Sequence, residues 1–67
     1  MKVKYAIVVC YVIQPYNDYS FAHSFCVASS DDEAYESSEN NELENSLINQ
    51  YGAGCLVNNY VFRIGDE

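Results

Sequence analysis

The sequence predicts an α+β fold of ββαβ order, a three-stranded antiparallel sheet with one helix packed on one face. Two runs rich in Val, Ile, Tyr and Phe stand either side of a turn-forming segment, an acidic stretch with a helix-start signature follows, and a third alternating run comes last. At 67 residues the chain is expected to form one small domain, residues 1–67, because a core of this size buries only about 60% of the unfolded surface. An apolar fraction of 49%, with seven Tyr and three Phe, is too high for a disordered chain.

The first strand is expected from about Lys2 to Ile13. It is β-branched and aromatic, with no helical spacing. Val3, Tyr5, Ile7, Val9, Tyr11 and Ile13 point one way, and Ala6, Val8, Cys10 and Val12 the other, so both faces are apolar, as in a central strand. Gln14, Pro15, Tyr16, Asn17 and Asp18 form a turn. The second strand, about Tyr19 to Ala28, alternates Phe21, His23, Phe25 and Val27 with Ala22, Ser24, Cys26 and Ala28, and should pair with the first as a hairpin.

Ser30, Asp31, Asp32 and Glu33 then spell a capping box with the acidic first turn that a helix dipole favours. Gly52 and Gly54 mark the helix end. Ser37, Ser38, Asn40 and Asn41 are poor helix formers, so a kink or a break into two short helices is expected to compete with one continuous helix there. The last strand, about Cys55 to Ile64, places Leu56, Tyr60, Phe62 and Ile64 on one face and Val57, Val61 and Arg63 on the other.

On a helical wheel Leu43, Leu47, Ile48 and Tyr51 form the stripe that lies on the sheet. Tyr35 falls opposite, with Asp31 and Asp32 one turn before it and Ser38, Glu39 and Glu42 after it. Seven carboxylates lie between Asp31 and Glu44 without one basic residue. Two readings follow: a solvated face with one stray tyrosine, or a recognition face in which Tyr35, ringed by carboxylates, docks on a Lys- or Arg-rich site. The apolar surplus on the strands has two readings as well. Self-association as a homodimer would cover it, or aromatic side chains curl over a small sheet and stay partly exposed.

Three basic against ten acidic side chains leave a net charge of −7, which argues against direct binding to nucleic acid phosphates or an anionic membrane. A basic protein surface is the favoured partner. The apolar run from Tyr5 to Ile13 is neither a signal peptide, since no small-residue cleavage site follows, nor long enough to span a bilayer, which takes about 20 residues. Cys10, Cys26 and Cys55 are an odd set within strand-like segments, so reduced thiols and a cytoplasmic location are expected.

No catalytic residue, metal site or cofactor is expected. His23, the one imidazole, alternates with Phe21 and Phe25, whereas Cys26 lies on the opposite strand face, so no nucleophile and base pair up. There is no Cys-x-x-Cys pair for zinc, no calcium loop, and the Gly52, Ala53, Gly54 segment follows a helix where a phosphate loop must precede one.

In size, acidity, ββαβ outline and the carboxylate helix from Asp31 to Glu44, the chain resembles the small phage-encoded anti-defence proteins, among them anti-CRISPR inhibitors and acidic DNA mimics. The resemblance covers composition and outline, not a motif. It implies a stoichiometric inhibitor without catalysis, acting in a host cytoplasm on a nucleic-acid-binding protein or complex, with Asp31, Asp32, Glu36, Glu39 and Glu42 placed where phosphates would lie. One departure stands out: the carboxylates sit on one helix, whereas a full DNA mimic spreads charge over most of its surface. The competing function is a structural or assembly module that associates through its apolar sheet, the helix charge keeping it soluble.

Overall fold

A computed structural model describes residues 1–14 and 17–65, and in it the elements follow the order β1 (Val3–Ile13), β2 (Asp18–Ala28), α1 (Asp31–Tyr35), α2 (Ser38–Tyr51) and β3 (Leu56–Arg63). The sheet order is β2-β1-β3, with β1 antiparallel to both neighbours. The fold is therefore α+β and ββαβ, and its helical segment is broken in two. Pro15 and Tyr16 of the expected turn lie outside the described residues. Asn17 adopts φ 55°, a left-handed conformation that asparagine tolerates better than most side chains.

Alternation along the strands decides what the helices cover. Val3, Tyr5, Ile7 and Val9 of β1, Cys26 and Ala28 of β2, and Val61 of β3 form one core with Ala34 of α1, Leu47 of α2 and Cys55. Tyr11, Ala22, Leu43 and Leu56 pack against its margin. Within the expected stripe Leu47 is buried and Leu43 and Ile48 are half-buried, while Tyr51 stays at the edge with its ring stacked on Tyr11 at 5.1 Å. The neighbouring Tyr11 phenol, then burial, holds the Tyr51 phenol above its ordinary value. All three cysteines are free and buried, and the Cys55 thiol donates to the Leu47 carbonyl at 3.6 Å.

Leu56 is a correction. Its expected partners in facing were Tyr60 and Phe62, but it packs against the core instead. Cys10 pairs with Asn58 and Tyr11 with Leu56, so Val57 is an extra residue opposite β1. Such a bulge reverses the alternation, and Leu56 comes round to the side of Tyr11.

The capping box is also displaced by one residue. The Glu33 amide donates to Ser30 Oγ at 3.2 Å as expected, but the Glu33 carboxylate accepts from the Ser29 amide and hydroxyl, not from Ser30. A second cap follows the break. Ser37 Oγ donates to the Ala34 carbonyl at 2.7 Å and accepts from the Asn40 amide at 3.2 Å, so one hydroxyl closes α1 and opens α2. The wheel drawn through a continuous helix fails at this point, because Tyr35 and Glu39 belong to different helices. At the far end Gly52 donates its amide to Ile48 and takes φ 100°, ψ 161°, a conformation open essentially to glycine alone.

Asn40 is the one buried polar residue among those described, at 1% exposure. Its amide and that of Asn59 on β3 bond reciprocally: Asn40 Nδ2 donates to Asn59 Oδ1 at 3.1 Å, and Asn59 Nδ2 donates to Asn40 Oδ1 at 2.6 Å. Glu44, one turn further along α2, accepts from Asn59 as well. The pair fixes where α2 sits on the sheet, since a displaced helix would leave two amides without partners. Asn40→Ala is expected to cost about 1–3 kcal/mol in urea unfolding, as the Asn59 amide loses its partners. Ser37→Ala should cost about 1 kcal/mol through the lost cap, and an unchanged midpoint in either variant would contradict the account.

Candidate protein-binding surface

The six residues expected to meet a partner divide between the two helices. Asp31, Asp32 and Tyr35 belong to α1, Glu36 is its C-cap residue, and Glu39 and Glu42 lie on α2; all six are exposed. Tyr35 is 44% exposed although its neighbour Ala34 is fully buried, so the ring stands on the outer side of a helix whose inner side is tightly packed.

The acidic segment is not uniform. Three of its seven carboxylates meet other parts of the fold. Asp31 stands near the Tyr5 phenol, and burial first, with the Asp31 carboxylate added, pushes that phenol above its ordinary value. Glu33 accepts from Ser29 and pairs with Lys2 at 3.3 Å across half-exposed side chains. Glu44 is tied to Asn59. The other four are outward-facing. Asp32, Glu36 and Glu42 make no side-chain hydrogen bond or ion pair among the described residues, and Glu39 meets only the neighbouring Ser38 hydroxyl at 3.4 Å.

Positive charge is already engaged elsewhere: Lys2 on Glu33, and Lys4 above the Phe25 ring at 5.0 Å. Asp32, Glu36, Glu39 and Glu42 thus face solvent with neither lysine beside them. No cavity is found among the described residues, and among them no cluster of three or more His, Cys, Asp or Glu side chains gathers as a metal site. No described helix is long and apolar enough to cross a membrane. Such a surface can attract and orient a cation-bearing partner.

Comparison with known proteins gives no match to any protein family, curated protein or solved structure.

The open face of the sheet was visible in the sequence only in part. Alternation separated Phe21, Phe25 and Val27 from Cys26 and Ala28, but nothing showed which set the helices cover. They cover the smaller set, and the aromatic set is exposed.

The Glu33 contacts predict a pH dependence. The Ser29 hydroxyl and amide, and then Lys2, lower its carboxyl from 4.5 to about 2. A carboxylate whose folded value is depressed stabilises the fold fully above the unfolded value and loses that contribution as pH falls through the folded one. The stability difference between the natural chain and Glu33→Gln should therefore be constant above about pH 4.5, shrink below it and vanish near pH 2. Urea titrations of both proteins from pH 2 to 7 measure this, and a difference flat across that range would refute it.

Proposed function

We propose that the protein is a non-enzymatic binding module, a stoichiometric inhibitor that docks its carboxylate-bearing helices on a basic, nucleic-acid-binding site of another protein. The observation that carries this reading is the exposure of Asp32, Glu36, Glu39 and Glu42 without a basic partner beside an outward Tyr35. Stability does not account for the whole arrangement. Glu39 and Glu42 stand three apart on α2, and like charges at that spacing destabilise a helix by a few tenths of a kcal/mol.

The helix positions separate the roles further. Glu39 lies in the first turn of α2, where it also complements the helix dipole, and Asp32 does the same in α1. Glu42 has no such duty. A Lys at 42 costs the fold nothing that these contacts show, and removes one charge repulsion while reversing the charge a partner would meet. Phosphate-like placement of the carboxylates on a site built for nucleic acid is the chemistry proposed; the −7 charge disfavours nucleic acid itself as the ligand.

The test is capture of a partner from host lysate at low and high salt, followed by titration of variants. Glu42→Lys should leave thermal stability equal or higher and slow association. The triple reversal Asp32→Lys, Glu39→Lys, Glu42→Lys should weaken binding further, with a steeply reduced salt dependence. Tyr35→Ala is expected to cost about 1–3 kcal/mol of affinity with little change in stability, as for an exposed anchor ring. Affinity unmoved by all of these would reduce the helical layer to a solvated face.

A further inference from the structure

We propose that the open face of the sheet is a homodimer interface, closed by a second copy of this chain packed sheet against sheet. This inference is independent of the acidic helices, since it concerns the opposite side of the molecule. The face has a definite relief. On the central strand β1 it presents the small side chains Ala6 and Val8, while the flanking strands present rings in register with them: Phe25 and Phe62 pair either side of Ala6, and His23 and Tyr60 either side of Val8. Two aromatic ridges thus border a shallow apolar trough. The Tyr60 and Phe62 rings of one ridge stack at 6.3 Å.

Ridge and trough on one surface are self-complementary: offset across a two-fold axis, the ridge of each copy enters the trough of the other, and sheets packed this way lie about 10 Å apart. The area suffices for a pair. Tyr19, Phe21, Phe25, Val27, Tyr60 and Phe62 are 66, 56, 54, 55, 42 and 51% exposed. With about 150–250 Å² per aromatic side chain, these six alone offer roughly 600 Å² per copy, against the ~800 Å² per partner of a standard interface. The ladder backbone and rim side chains supply more.

Charge selects the second copy over other arrangements. No described carboxylate alternates onto this face: Asp18 shares the side of Cys26 and Ala28, and the seven others belong to residues 31–44 on the covered side. The one charged side chain on the open side of the strands is Lys4, drawn over Phe25. Two chains of net charge −7 can therefore meet through this face with their described carboxylates held outward, two sheets apart, whereas contact through the helices would set like charges together. A dimer of this form displays two acidic layers on opposite sides, so a partner with two basic sites would be engaged bivalently.

Sedimentation and light scattering over a dilution series decide the matter. The natural chain should rise from 7.6 kDa to about twice that mass with concentration, and added salt should strengthen the pairing by screening the repulsion of the two chains. Phe25→Glu with Phe62→Glu should remain monomeric at every concentration while keeping the far-ultraviolet spectrum of the natural fold, since both rings are exposed. Val27→Lys, a milder change at the edge of the face, should shift the midpoint of association at least tenfold without altering thermal unfolding of the monomer. Glu42→Lys should not weaken it. A single-chain mass throughout would overturn the proposal and leave the face to a different protein. A dimer that survives the double variant would overturn it too, pointing to pairing at the sheet edges. Salt strengthens this association and weakens docking of the helices on a basic partner, so failure of either reading is recognisable without the other.

Discussion

The architecture follows from one constraint on the chain path. β2 and β3 are both antiparallel to β1 and flank it, so they run parallel to each other at opposite edges. β2 ends beside Val3 and β3 begins beside Tyr11, so the connection must return the length of the sheet as well as cross it. Eight strand steps at about 3.4 Å make that return roughly 27 Å. Five residues of α1 and 14 of α2 at about 1.5 Å each supply nearly the same length. The crossing passes over one face only. That single fact gives the molecule a covered side bearing the carboxylates and an uncovered side bearing the rings.

Holding the crossing in place falls to polar groups. The reciprocal amides of Asn40 and Asn59 join helix to sheet inside an otherwise apolar layer, and the Ser37 hydroxyl joins the two helices at their break. Neither contributes much net free energy, but each specifies a position, because hydrogen bonds inside a protein tolerate little displacement whereas Leu and Val contacts accept sliding. Glu44 is drawn into the same duty through Asn59. A segment that composition presents as seven equivalent acids is therefore a mixture of positioning groups and outward-facing charge.

Much of this was readable from the residues. The strand runs were anticipated to within a residue or so at either end, because β-branched and aromatic alternation is a strong signal, and β1 was identified as central from its two apolar faces. Facing was harder. Periodicity sorts a strand's residues into two sets without saying which the helices cover, and the bulge at Val57 carried Leu56 across that division. Asn40 was weighed as a weak helix former and missed as a core residue. Its spacing to Leu43, Leu47 and Tyr51 extends the buried stripe by one turn, and Asn59 alternates with Val61, so two asparagines facing one another were implicit in the pattern. The outward position of the acidic residues was legible; their division into tethered and untethered groups depends on the break after Tyr35.

The strand order also ties the fold to the order in which the chain is made. β1 is completed early, yet one of its two edges waits for β3, the last element, and Tyr5 pairs with Arg63 almost the whole chain away. Until Leu56–Arg63 leaves the ribosome, the sheet can consist only of the β1–β2 hairpin. A lone hairpin is marginal in water, and this one would present apolar side chains on both faces. Synthesis thus passes through a nascent stage in which the second hydrogen-bonding edge of β1 is bare, the state in which strands find the wrong neighbour, and pairing with β3 closes that edge.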